Sequence, residues 1–430
     1  MSLAENIIAR YLPPGSFLRN VFVLAGGTAF GHGLIVLSAP LLTRLYTPAE
    51  FGALSVYTSI LTILLVVSAL RYEWAIPLPA DDEAAIRLFW LSILLVSLTA
   101  LLILLVQALA GDFLVARTGT AGLRPLLWLL PLGLFAAGIL AAFNRWTVRK
   151  KQYAELAKVN VTHSSAQVAT QIAAGFAGAG SLGLVLGQLV GQFSGLFTYV
   201  NYSAKDIRTL RNPLHFGELR KVASRYKRFP IYSSGSALLT TAVGILPPLV
   251  LASLFGMQVA GWFALGQRVV ALPTQLIAQA IGDIYFAEAS QAAQQGNDAL
   301  RRIYRRFALR LLVFGLGILV PIALLGPSIF ELAFGASWRE AGVYIRPMVI
   351  MFLAQFIAYP LSQTLLILEH QDRLLFWDGI RFCGVIAVFV AAQYFQLTPE
   401  ATIFCYALSI AASYMALLLV STNAVRKLSV

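Results

Sequence analysis

Apolar residues in this chain run almost unbroken for about 20 positions at a time before charge interrupts them, rather than alternating or marking one face of a helix. A run of that length matches a helix crossing the hydrocarbon core of a bilayer. Windows of about 19 residues bounded by charge predict helices near 17–43, 53–79, 87–111, 124–143, 156–177, 181–202, 231–254, 260–288, 307–333, 343–368, 373–394 and 398–423. The pattern therefore predicts an all-α integral membrane protein of about 12 transmembrane helices.

Composition removes the main alternative. Of the 430 residues, 59% are hydrophobic and 12% charged, whereas soluble domains carry about a quarter charged residues. No length remains for a sizeable soluble domain, which excludes most enzymes built on an aqueous scaffold. The net charge of +13 is unevenly placed: with the N-terminus inside, 25 of the 32 Lys and Arg fall on the same side as it and five on the other. That imbalance predicts both termini in the cytoplasm. Residues 1–16 lack the basic start and continuous apolar run of a cleavable signal, and Pro13-Pro14 breaks any helix there. The first span is expected to remain as an anchor. Cys383 and Cys405 fall inside apolar runs and read as small core residues.

The longest polar connection, 203–230, divides six predicted helices from six. It sets an N-terminal lobe over 1–212, helices 1–6, against a C-terminal lobe over 213–430, helices 7–12. The stretch Leu45 to Leu54 recurs as Leu254 to Phe263, an offset of 209: a helix ends in Leu-aromatic, a short turn follows, and a glycine, Gly52 or Gly261, opens the next helix. Six helices separate the copies, so the repeat is parallel, with an axis along the membrane normal. Two six-helix lobes so related have the geometry of a transporter.

Charges at membrane depth are costly unless they face protein or a water-filled cavity. Arg71, predicted late in helix 2, has two readings: an internal or snorkelling pair with Glu73, or a cavity cation. Arg268, in helix 8, has no acid within a turn and reads as a cavity residue. Arg44, beside the repeated motif, reads first as interfacial, with a substrate role as the alternative. Polar stripes recur at helical spacing: Asn160, His163, Gln167 and Gln171; Gln188, Gln192 and Tyr199; Arg268, Gln275, Gln279 and Asp283; Gln355, Tyr359, Gln363 and His370. Singly, each amide reads as packing glue between helices; together, the stripes argue for a wet interior. His32, between Gly31 and Gly33, reads as a packed, hydrogen-bonded histidine. Asp283 and Glu288 read as partners of Arg301 or Arg302, with ion coupling as the alternative. The basic clusters at 220–228 and 301–306 are expected to hold anionic lipid heads on the cytoplasmic face, with no nucleic acid involved.

Motifs of enzymatic chemistry are missing from the sequence: no Gly-Lys-Ser/Thr phosphate loop, no His-Glu-x-x-His, no Gly-x-Ser-x-Gly, and four scattered histidines. Transport without covalent chemistry, metal or organic cofactor is the expectation.

The stretches Arg44 to Gly52, Arg71-Tyr72-Glu73, Asn144-Arg145 and Gly261 to Pro273 resemble the multidrug/oligosaccharidyl-lipid/polysaccharide exporter superfamily, specifically its Wzx-type polysaccharide flippases. The last stretch is the most specific, being similar to a helix-8 Arg-x-x-x-x-Pro segment of the lipid II flippases. By that motif match the resemblance implies a cationic cavity lined by Arg44, Arg71 and Arg268. Two further C-terminal helices of the lipid II flippases have no counterpart here, which favours the twelve-helix branch.

The resemblance implies a multi-pass protein of the bacterial inner membrane that flips undecaprenyl-pyrophosphate-linked oligosaccharide outward for O-antigen, capsule or exopolysaccharide assembly. A polysaccharide polymerase and a chain-length regulator are the implied partners. In this reading Arg268, Arg71 and Arg44 meet the diphosphate, and Gln275, Gln279, Asn160, Gln167, Gln171, Gln188, Gln192, Gln355 and Tyr359 meet sugar. Coupling to H⁺ or Na⁺ stays open, with Asp283 and Glu73 as its candidates. Two rivals are a drug/cation antiporter of the same superfamily, which helices 1 and 5 disfavour by offering no interior acid, and a membrane-embedded glycan polymerase, which short outer loops disfavour.

Overall fold

A computed structural model describes residues 17–118, 123–202, 216–368 and 371–427. His215, His370 and part of the 203–230 connection lie outside them. Every regular element in these residues is helical. Twelve long helices follow the predicted runs: α1 Phe17–Leu37, α2 Pro48–Ser68, α3 Asp82–Thr118, α4 Leu130–Arg149, α5 Tyr153–Phe176, α6 Gly180–Tyr202, α7 Ser234–Phe255, α8 Met257–Gln295, α9 Asn297–Phe334, α10 Arg339–Ile367, α11 Gln371–Tyr394 and α12 Pro399–Lys427. Among the described residues eleven spans are long and apolar enough to cross a membrane. The twelfth helix, α5, falls short because Lys158, Asn160, His163 and Gln167 interrupt its apolar surface.

Two of the helix ends that differ from the predicted pattern have a local cause. Proline cannot donate its backbone N–H and crowds the preceding turn, and near Pro40 the first run breaks at Ser38, resuming as the short helix Ala39–Leu45. The second run stops at Ser68, about ten residues early, because Leu70 and Arg71 take left-handed backbone angles, φ 49° and 63°. A single 3₁₀ turn, Tyr72–Ala75, follows. Arg71 thus lies beyond the end of α2 rather than inside it. The start of α2 is fixed by its own sequence: Thr47 N–H donates to Glu50 Oε2 at 2.7 Å, the capping box expected of Thr-Pro-Ala-Glu.

The chain divides into two compact units, Met1–Tyr46 with Val56–Leu238, and Thr47–Ser55 with Leu239–Val430. In the first, α5 packs on α1 and α6, α4 packs on α3 and α6, and the amphipathic helix Phe216–Arg225 lies on α3. Its core gathers Ile76, Phe89, Trp146 and Tyr199 with Leu219 and Val222 of that amphipathic helix. Residues 216–238 therefore belong to the first unit, past the division expected at 212/213. In the second unit α10 is central, packed on α8, α9 and α12, with α11 against α12. Its core is built from Tyr285, Phe307, Phe356 and Leu361.

Outward faces are apolar. Leu98, Leu101 and Leu102 of α3, and Val313, Phe314 and Leu324 of α9, are exposed, as a lipid-facing surface requires. Cys383 is among the exposed residues, contrary to the core position expected for it, because it faces outward on α11. The 209-residue offset holds at the helix starts: α2 opens at Pro48 and α8 at Met257. A Cβ on Gly52 would lie 1.8 Å from the Met257 carbonyl oxygen, and one on Gly261 would lie 1.8 Å from that of Pro48. Equivalent positions of the repeat thus face one another reciprocally.

Candidate functional site

Each unit holds a half-open cavity whose lining includes polar side chains. In the first, a space of about 390 Å³ is bordered by Arg71, Glu73 and Trp74 of the strained turn and by Asn144 and Arg145 of α4. The turn is held from behind: Ala75 and Ile76 are fully buried, and the Tyr72 hydroxyl donates to the Ala223 carbonyl at 3.0 Å. Non-glycine residues at positive φ persist where surrounding contacts over-determine them, and this anchoring supplies those contacts. The result directs two cations at one ring. The guanidinium carbon of Arg145 stands 3.3 Å from the Trp74 ring centre and that of Arg71 4.7 Å, within cation–π range.

Counter-charge is scarce there. Glu73 Oε1 is 4.0 Å from Arg71 Nη1, a loose pair, and the buried Glu73 Oε2 and Arg71 Nε have no hydrogen-bond partner among the described residues. Burial pushes the Glu73 carboxyl above its ordinary range, against the opposing pull of a backbone hydrogen bond and of Arg71 and Arg145. Neighbouring cations are otherwise engaged: Arg149 and Lys150 hold Asp82 at 2.9 and 2.8 Å, and Arg87 bridges Glu83 and Glu218. Two arginines against one carboxyl leave the cavity with excess positive charge. Asn144 completes the rim, its Oδ1 accepting from the Tyr199 hydroxyl.

In the second unit a cavity of about 500 Å³ is lined by Gln275 and Gln279 of α8, Gln355, Tyr359 and Gln363 of α10, and side chains of α11 and α12. Five residues predicted from the polar stripes, Gln275, Gln279, Gln355, Tyr359 and Gln363, therefore line one cavity. Opposite charges complete it: Arg381 Nη2 donates to Asp378 Oδ1 at 2.8 Å, and its Nη1 donates to the Tyr414 hydroxyl at 3.1 Å. The Arg381 guanidinium also lies 4.4 Å from the Trp377 ring centre, and Trp377 Nε1 donates to the Ser413 carbonyl at 2.6 Å.

Other predicted site residues lie elsewhere. The α5 and α6 stripes are packing surfaces. Gln171 is buried, donating Nε2 to the Leu184 carbonyl at 2.9 Å, while its own carbonyl accepts from the Tyr46 hydroxyl at 2.6 Å. Asn160 donates to Thr28 Oγ1 at 3.2 Å, tying α5 to α1. Gln167 and Gln192 are buried, and a Cβ on Gly187 or Gly191 would press on Gln167 or His163 within 3.0 Å. None of Asn160, Gln167, Gln171, Gln188 or Gln192 borders either cavity. Arg268 is half-buried, has no ion-pair or hydrogen-bond partner among the described residues, and borders neither cavity; Arg44 is exposed at the end of its short helix. Asp283 and Glu288 are exposed and, among the described residues, make no ion pair, so the pairing with Arg301 or Arg302 does not form. His32 is exposed, not packed; Gly31 beside it makes the close approach, to Ser164 of α5.

Sequence reasoning missed Arg145 as a cavity residue, and with it Trp74, Trp377, Asp378, Arg381 and Tyr414. The signal was present: Asp378 and Arg381, three apart in an apolar helix, are intramembrane charges of the kind that mark a site.

The family model for a polysaccharide biosynthesis protein matches residues 41–343. A succinoglycan biosynthesis transport protein, ExoT of Rhizobium meliloti (strain 1021), is 22% identical over 357 residues, covering 80% of this chain and 68% of that one. Among solved structures, the lipid II flippase MurJ in an inward closed conformation aligns over 95% of this chain and 90% of its own, with TM-score 0.74 and 11% identity. A multidrug resistance MATE family transporter of the MOP superfamily, inward-facing, aligns over 94% and 95%, with TM-score 0.65 and 15% identity. These structural likenesses establish the fold, which the chain shares with both solved structures. With the family model covering most of its length and eleven membrane-spanning helices described, the chain is a multi-pass membrane protein that belongs to the polysaccharide biosynthesis protein family.

Proposed function

We propose that this protein is a flippase that moves undecaprenyl-pyrophosphate-linked oligosaccharide from the cytoplasmic to the outer leaflet of a bacterial inner membrane by alternating access. The glycan so delivered serves assembly of O-antigen, capsule or exopolysaccharide. Family membership supports a transport role in polysaccharide assembly, and the observation that carries the finer reading is the convergence of Arg71 and Arg145 on Trp74 beside a single carboxyl. Arginine's planar fork suits phosphate oxygens, and partial burial strengthens each charge-assisted hydrogen bond. A diphosphate satisfies the guanidinium donors that Glu73 leaves unpaired. Outward movement of negative charge across an inside-negative membrane is favoured by about 2.3 kcal/mol per charge per 100 mV, so the potential contributes to direction.

Glu73 gives the antiporter reading its one buried acid in this cavity, yet two guanidinium groups beside it oppose capture of a further cation. The experiment is calorimetric titration of the purified protein with inorganic pyrophosphate. Saturable binding, weakened roughly ten- to hundredfold by Arg145→Gln as loss of a charge-assisted contact predicts, supports the diphosphate assignment. Equal binding by the variant removes it.

A further inference from the structure

The cavity of the second unit differs in chemistry from the arginine pocket of the first. It holds one acid and one base, already paired as Asp378 and Arg381. An anion entering it meets Asp378, and a cation meets Arg381, so neither gains what an unbalanced site would give. An apolar ligand would strip water from Gln275, Gln279, Gln355 and Gln363 without replacing its hydrogen bonds, a desolvation cost with no return. The remaining class is neutral and rich in hydroxyls.

From these residues we infer that this cavity is a glycan subsite that takes neutral sugar residues, an inference that rests on the flippase reading above. Its volume of about 500 Å³ falls in the range of roughly 300–1,000 Å³ typical of small-ligand pockets. The four amides and the Tyr359 hydroxyl both donate and accept, matching the dual character of sugar hydroxyls. The Arg381 guanidinium borders the space with its Nη1 and Nη2 already directed to Tyr414 and Asp378. The rings of Tyr359 and Phe352 border the same space and offer flat apolar surface to the C–H face of a pyranose. The wall is preorganised: Trp377 is fixed through its Nε1 to Ser413, and Arg381 is held between Asp378 and Tyr414, so little side-chain order is lost on binding.

Calorimetry on the full-length protein in nanodiscs, with cellotetraose, tetragalacturonate and inorganic pyrophosphate as separate probes, tests this. Saturable cellotetraose binding is expected, at least tenfold weaker in Asp378→Asn and in Gln279→Ala. Gln279 is exposed, so its truncation leaves the fold intact and keeps the test valid if Asp378→Asn does not fold. Both variants are expected to bind pyrophosphate as the parent does. Three results overturn the subsite: no saturable cellotetraose binding, preference for tetragalacturonate over cellotetraose, or undiminished cellotetraose binding by Gln279→Ala. Failure of pyrophosphate alone to bind the parent strikes the diphosphate assignment, while cellotetraose binding lost in the variants still upholds this one.

Discussion

Replacing Gly52 by alanine places a methyl group 1.8 Å from the Met257 carbonyl oxygen, 2.7 Å from its carbon and 3.1 Å from the Gly261 nitrogen. Real Cβ contacts essentially never fall below 3.0 Å, so the two helices must separate by the difference, about 1.2 Å. The obstacle is backbone, so no side-chain rotation relieves it. Separation also loosens the packing of Phe51 on Trp338, edge to face at 5.0 Å. Overpacking of this kind costs about 1–3 kcal/mol, offset in part by alanine's higher helix propensity, about 1 kcal/mol. Gly33→Ala is the control, since a Cβ there meets nothing within 4 Å and gains the propensity term alone. Thermal unfolding in detergent should rank Gly33→Ala at or above the parent and Gly52→Ala below it. The double variant Gly52→Ala, Gly261→Ala should lose less than the sum of its parts, because the first methyl opens the crossing that the second requires. Equal stability of Gly52→Ala and Gly33→Ala would refute the reciprocal glycine contact.

Three further outcomes follow from the same geometry. Because burial raises the Glu73 carboxyl in the folded protein, stability is fully present below its unfolded value of 4.5 and falls as pH rises through the higher folded value; melting temperature against pH should show this fall in the parent and not in Glu73→Gln. Tyr46→Phe removes the hydroxyl donated to the Gln171 carbonyl and should cost about 1 kcal/mol in detergent unfolding, more if that carbonyl finds no water. His32→Ala, at an exposed position, should stay within about 0.5 kcal/mol of the parent and transport as the parent does; a large effect in either assay would place that side chain in an unrecognised contact.

Apolar run length was enough to read the helices, because a bilayer demands about 20 residues per crossing whatever the neighbours are. The end of α2 was not legible: Leu70 and Arg71 adopt left-handed angles without the glycine or asparagine that announces them. Polar stripes were ambiguous for a physical reason, since an amide in a bundle is equally well satisfied by another helix or by water. The structure divides them by neighbour. Gly183, Gly187, Gly191 and Gly195, four residues apart on α6, bring that helix against α5 and leave the amides of α5 in the contact, whereas the exposed Gln275 and Gln279 open on space. Arg381 escaped notice by its place near the start of a span, where a charge is easily assigned to the interface; its partners Asp378, on the same helix, and Tyr414, on the next, hold it in the cavity wall. Arg268 stood out in the sequence as an unpaired charge and remains one among the described residues.

Transfer of a fluorescent undecaprenyl-pyrophosphate oligosaccharide between leaflets of liposomes holding the purified protein tests the central claim most directly. Under an imposed inside-negative potential the parent is predicted to move the probe outward, seen as accessibility to an external quencher, and the variant Arg71→Gln, Arg145→Gln is predicted to insert and fold but move little. Absence of transfer by folded parent protein, or transfer at the parental rate by the double variant, would contradict the account.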